Sequence, residues 1–231
     1  MYLHWLRRCA AAVPPGEEWL SAEERARLVS LRMPKRRADF RLGRFAAKQA
    51  VAAYLGGDRA PAPHEIELRP EPSGAPEVYV GGAPAQLALS LSHCDGQALC
   101  AVAEPAIRLG CDLERIEDRG PAFMADFFTE EEQAFLSSAP GEARPALCTV
   151  LWSAKESALK ALKTGLRLDT REVRVTLSPE PAAADGFRPL SVLHVGSAVR
   201  FRGFFRVEPP LVLVLVSFPP VAGLRSLPGP L

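Results

Sequence analysis

The sequence predicts an α+β protein built from two pseudo-symmetric halves, each a small, mainly antiparallel sheet packed on one long helix. Three observations carry this. The chain echoes itself at an offset of about 107 residues. Each half opens its first helix with a capping box. Each half then closes on short β-rich runs separated by glycine and proline.

In chain order, Tyr2 to Arg8 reads as a strand, and Leu20 to Leu28 as a short helix capped by Ser21 and Glu24. A longer helix runs through Ala47 to Leu55, where alanine dominates. Strands follow at Glu65 to Leu68, Val78 to Val80, Leu87 to Ser92 and Leu99 to Ala103. The pattern then repeats. Ile107 to Glu114 is a strand, Phe128 to Leu136 a short helix capped by Thr129 and Glu132, and Leu151 to Leu162 a long helix. Glu172 to Leu177, Leu190 to Val195, Val199 to Val207 and Leu211 to Phe218 complete the second set of strands. The boundary falls near Glu104 and Pro105, giving halves at 1–104 and 105–231.

At 231 residues and 48% hydrophobic, the chain is long enough to bury the cores this needs. A net charge of +1 offers no global field for nucleic acid or membrane. The strongest apolar run, Leu211 to Val216, is too short to span a bilayer. Five cysteines, Cys9, Cys94, Cys100, Cys111 and Cys148, are odd in number and scattered. They argue against a disulfide framework or a zinc site and fit the reducing cytoplasm.

The halves differ in chemistry. Where the first has Trp5, Arg7 and Gln49, the second has Asp112, Glu114 and Glu156. Alternation from Ile107 to Glu114 puts Asp112 and Glu114 on one face of a strand, with Cα atoms about 6–7 Å apart. That spacing serves either a polar edge strand or one hard cation. Gly110 just before them lets another group approach the backbone. On the long helix, Trp152, Glu156, Lys160 and Lys163 share one stripe, opposite an apolar stripe of Leu151, Ala154, Ala158 and Leu162. If helix meets strand, Glu156 becomes a third carboxylate, and three carboxylates crowd only around a cation, Mg²⁺ or Mn²⁺. Of 28 basic residues only five are lysine, and three of these, Lys155, Lys160 and Lys163, fall in one short window. They read either as a solvated face with a Glu156/Lys160 pair or as phosphate ligands. In the first half, Arg37, Arg41, Arg44 and Lys48 form one helical stripe, a solvated face or a cradle for a phosphate monoester.

Gly110-Cys-Asp-Leu-Glu114, followed by Trp152-Ser-Ala-Lys-Glu-Ser-Ala-Leu-Lys160, resembles the signature pair of the 4′-phosphopantetheinyl transferases of the surfactin-synthetase-activating type. Ser90-Leu-Ser-His93, Gly43-Arg44 with Lys48, Gly74-Ala-Pro76 and Gly165-Leu166 extend the likeness over nearly the whole chain. The resemblance implies that family's two-halved fold, with the active site between the halves and the CoA 3′-phosphate and adenine on the first. It implies a holo-[acyl-carrier-protein] synthase activity: the phosphopantetheine arm of coenzyme A moves to a carrier-protein serine and 3′,5′-ADP leaves.

Carried over by position, Asp112, Glu114 and Glu156 would hold Mg²⁺ or Mn²⁺, with Asp112, Glu156 and Lys160 catalytic. Glu156 would serve as base for the carrier serine and Lys160 would assist the departing phosphate. Arg44, Lys48, Gly74, Ala75, Pro76, Ser92, His93, Lys155 and Lys160 would contact CoA, with Lys35, Arg36 and Arg37 as further candidates. Phe123 and Met124 would dock the carrier, and the family type implies a monomer acting in fatty-acid, polyketide or nonribosomal-peptide biosynthesis. A lone histidine such as His93 is otherwise a structural hydrogen bonder, and Trp152 a packing anchor. Two positions depart from the family: Ala75 replaces a loop lysine and Cys94 a small polar residue. A Mg²⁺-dependent phosphohydrolase or nuclease, and a non-catalytic CoA- or carrier-binding module, are the rival readings.

Overall fold

The computed structural model describes residues 1–56 and 60–228. The chain divides into two compact units, Met1–Ile107 with Ala222–Leu231, and Arg108–Val221.

In the first unit, β1 (Leu3–Cys9) precedes α1 (Ala22–Ser30) and α2 (Pro34–Leu55). Both arms of the capping box form at the start of α1: Glu24 N–H donates to Ser21 Oγ and Ser21 N–H to Glu24 Oε2. Strands β2 (Ile66–Pro70), β3 (Pro76–Val80), β4 (Ala83–Pro84), β5 (Ala88–Cys94) and β6 (Gln97–Ala103) follow. The small side chains of α2, Ala46, Ala47 and Ala50, pack with Ala98, Cys100 and Val102 of β6 in one core. Alanine on the helix face lets the backbones come close, so the core is shallow and dense.

The second unit repeats this order. β7 (Arg108–Arg115) leads to α3 (Pro121–Phe127), α4 (Glu130–Ser138) and α5 (Arg144–Leu162), then β8 (Val173–Leu177), β9 (Arg188–His194), β10 (Val199–Glu208) and β11 (Leu211–Phe218). The sheet order is β7-β11-β10-β9-β8, every pair antiparallel. β11 is buried from Leu211 to Ser217, which explains why it reads as an unbroken apolar run rather than an alternation. Val212, Val214 and Val216 share a core with Val150, Ala154 and Ala158 of α5.

Three features escaped the sequence. The two-residue β4 is too short to announce itself, and α3, with proline in its first turn, was not among the expected helices. The third is β12 (Leu224–Ser226), which pairs in parallel with Leu3 to Trp5 and so returns the chain end to the first unit. The expected second half, 105–231, therefore ends at Val221, and the break between units lies at Ile107/Arg108. The first unit also splits its strands into β12-β1-β6-β5 and β2-β3-β4, where the second keeps a single sheet.

Candidate active site

Glycine at 110 permits the second unit's site. A Cβ there would lie 1.8 Å from the Ser157 carbonyl oxygen, so only glycine lets α5 lie this closely on β7. The approach brings α5 side chains onto Asp112. Asp112 is 3% exposed. Its Oδ1 accepts from Lys160 Nζ at 2.7 Å and its Oδ2 from Ser153 Oγ at 2.8 Å. Lys160 also donates to the Cys111 carbonyl at 3.1 Å. Burial disfavours the Lys160 charge, but Asp112 and Glu156 outweigh that cost and raise its pKa.

Glu114 points the same way along the strand and is held by a different group. Arg119 donates to its Oε2 at 3.2 Å. The Arg119 guanidinium lies 4.5 Å from the Phe123 ring centroid and 5.5 Å from that of Trp152. Arg119 carried no local sequence signal. Glu156 has the least support: its Oε1 is buried with no hydrogen-bond partner. Burial first, and the Asp112 charge second, raise the pKa of both Glu114 and Glu156.

The residues present fit a divalent cation, although they are not gathered around one. Among the described residues no three His, Cys, Asp or Glu side chains form a ready metal cluster. The unpartnered Oε1 of Glu156 and two carboxylates pushed toward protonation register a local shortage of positive charge. The donor set is all oxygen, as hard cations prefer.

Lys155 and Lys48 are placed otherwise than expected. Lys155 is fully buried, and its ammonium is bonded to Glu132 Oε2 at 2.8 Å and to the Thr170 and Val173 carbonyls at 2.9 and 2.5 Å. An ammonium has three N–H donors, and these acceptors take all three. Burial lowers its pKa, with Glu132 opposing. Lys48 is 1% exposed and does the same with Glu24 Oε2 at 2.6 Å, the Pro63 carbonyl at 2.8 Å and the Ile66 carbonyl. As placed, neither has a donor for a phosphate.

The rest of the first-half basic stripe is also largely spent on the fold. Arg37 donates to the Leu28 carbonyl at 2.8 Å. Arg41 donates to the carbonyls of Pro14, Pro15 and Gly16. Arg44 differs: it stacks 4.5 Å from the Phe40 ring centroid and lines a groove of about 1330 Å³ with Arg27, Lys35, Arg36 and His93. Ser92, one residue before His93, is buried. In the β2–β3 turn, Gly74 takes a φ of +89° and its N–H goes to the Glu71 carbonyl, while Ala75 N–H goes to Ser73 Oγ. The backbone donors that could replace the missing loop lysine are thus used within the turn, and Pro76 begins β3. Phe123 and Met124, expected as a docking surface, are half-buried against the core, with Phe123 5.0 Å from the Trp152 ring centroid.

Comparison with known proteins places these motifs. A family model for the 4′-phosphopantetheinyl transferase superfamily matches residues 108–191, and one for the 4′-phosphopantetheinyl transferase N-terminal domain matches residues 23–103. The chain is 31% identical over 166 residues to the 4′-phosphopantetheinyl transferase HetI of Nostoc sp., covering 71% of this chain and 68% of that one. It is 29% identical over 199 residues to a phosphopantetheinyl transferase of Thraustochytrium sp., covering 78% and 67%. A holo-[acyl-carrier-protein] synthase of Geobacillus sp. matches at 33% over 82 residues, 35% of this chain and 69% of that one. Among solved structures, the holo-[acyl-carrier-protein] synthase of Thermotoga maritima aligns with a TM-score of 0.37 at 22% identity, over 55% of this chain and 74% of that one.

Proposed function

The chain belongs to the 4′-phosphopantetheinyl transferase superfamily, and on that premise we propose that Asp112, Glu114, Glu156 and Lys160 carry the chemistry. The activity is transfer of the phosphopantetheine arm of coenzyme A to a carrier protein, with a divalent metal. The observation that supports the assignment is the pairing of Asp112 with Lys160 beside a Glu156 oxygen that is buried and unpartnered.

The three carboxylates would hold Mg²⁺, which would neutralise charge on the CoA pyrophosphate. Glu156 takes the proton of the carrier serine. The serine oxygen then bonds to the phosphorus bearing the pantetheine arm, and the bond to 3′,5′-ADP breaks. Lys160, which in this structure is bonded to Asp112, donates to the oxygen of the departing phosphate. In the first unit, Arg44 with Lys35, Arg36 and His93 serves the CoA 3′-phosphate, because these side chains line one groove. Lys48 and Lys155 are assigned to the fold.

The test is incubation with CoA, Mg²⁺ and several unrelated apo carrier proteins, read by intact mass. A phosphopantetheine mass increment that needs the carrier serine and disappears with chelator is expected. No increment on any carrier would refute the assignment.

A further inference from the structure

The second long helix buries three hydroxyls completely, those of Thr149, Ser153 and Ser157. Thr149 donates to the Pro145 carbonyl four residues back, at 2.9 Å, the usual outlet for a hydroxyl inside a helix. Ser157 donates to the Val214 carbonyl at 3.4 Å. Ser153 alone of the three is directed to a site carboxylate, donating to Asp112 Oδ2 at 2.8 Å.

The neighbourhood explains what this bond does. Ser153 and Lys160 are seven residues apart, two helical turns, and so share a face of α5. Between them they take both oxygens of Asp112, one each. The equivalent positions in the first half are Ala46 for Ser153, Ala53 for Lys160 and Trp5 for Asp112. Hydroxyl, ammonium and carboxylate are thus all present in one copy and all absent from the other. A serine that merely filled space in the helix would have no reason to arrive with the aspartate.

We propose that Ser153 is a positioning residue for the metal-binding carboxylate: it fixes Asp112 through Oδ2 so that Oδ1 is the oxygen that exchanges its ammonium for a cation. The inference rests on the assignment of Asp112 to the metal site made above. While Lys160 serves a phosphate, Ser153 keeps the aspartate in its rotamer. Partners that orient a metal ligand in this way change metal affinity by about 10–100-fold when removed.

The test uses the full-length protein with CoA present and titrates Mn²⁺ alone as the metal, counting free Mn²⁺ by electron paramagnetic resonance. Wild type, Ser153→Ala and Asp112→Ala are compared, and Ser153→Cys, which keeps volume but donates weakly, carries the test if the alanine variant does not fold. Ser153→Ala is expected to weaken Mn²⁺ binding by about tenfold while the protein remains folded. In the transfer reaction the metal concentration for half-maximal rate should rise in step, with the rate at saturating metal less affected. If Ser153→Ala binds Mn²⁺ like wild type while Asp112→Ala has lost it, the positioning role of Ser153 is overturned and the metal assignment stands. If Asp112→Ala also binds like wild type, the metal assignment falls and the role of Ser153 with it.

Discussion

Lys48 and Lys155 occupy the same place in two copies of one pattern, and both are held in the same way. Each reaches the N3 glutamate of its unit's capping box, Glu24 or Glu132, and each donates to the carbonyls fifteen and eighteen residues further on. The glutamates in turn accept from equivalent backbone amides, Leu68 in the first unit and Val175 in the second. One residue along, the copies part. Gln49 accepts from Arg8 through its side-chain oxygen, whereas Glu156 keeps a buried oxygen without a partner. The lesson is that the duplicated network is scaffold. What differs between the copies, Asp112, Glu114, Ser153, Glu156 and Lys160 against Trp5, Arg7, Ala46, Gln49 and Ala53, is where we propose the chemistry lies.

The comparison breaks most visibly at the lysines. Lys48→Met and Lys155→Met each strand a buried glutamate, and each should cost about 3–5 kcal/mol of stability by denaturant unfolding. Equal losses in the two units support a scaffold role. A Lys155→Met protein of normal stability with a raised KM for CoA would return that residue to the phosphates.

Gly110 comes next, because the first half has Leu3 at that position and tolerates a side chain. Gly110→Ala drives a methyl group into the Ser157 carbonyl. It should cost about 1–3 kcal/mol and slow transfer as well, since α5 is pushed from β7. Stability and kinetics measured on one preparation would separate the two losses.

A smaller effect has the opposite sign. The pKa of Glu156 is raised above its ordinary value of 4.5 by burial and by Asp112. A raised carboxyl favours the folded state most when protonated, so its contribution is largest below 4.5 and is lost as pH rises through the folded value. Glu156→Gln should therefore raise the thermal midpoint of the metal-free protein near neutral pH, and the gain should shrink on acidification. Gln49→Glu in the first unit should show no such penalty, because Arg8 already donates to the side-chain oxygen there. The smallest predicted effect is shared: Ser21→Ala and Thr129→Ala should each cost about 1 kcal/mol in a melting experiment.

Much of the fold was legible because local chemistry and tertiary need agree. The capping boxes at Ser21 and Thr129 and the alternating or unbroken apolar runs mark their elements without outside help. β12 was hidden because Leu224–Ser226 has no alternation long enough to read, and pairing with β1 alone makes it a strand. At the site, strand parity and helical spacing were sufficient to associate Asp112, Glu114, Glu156 and Lys160. The burial of Lys155 was not foreseen, because spacing locates a side chain on a helix face without saying what covers it. The signal that would have found it was present, since the lysine follows the capping-box glutamate by almost the same interval in both halves. Arg119 holds Glu114 through the fold of a loop, which no local pattern encodes.

The central claim, that transfer depends on carboxylates present only in the second copy, is tested most directly by one intact-mass experiment. Wild type, Asp112→Ala and Glu156→Gln are each incubated with an apo carrier protein, CoA and Mg²⁺, and the rate of holo-carrier formation is followed. Folded variants slowed by about 10²–10³-fold or more would bear the claim out. Either variant modifying the carrier at the wild-type rate would contradict it.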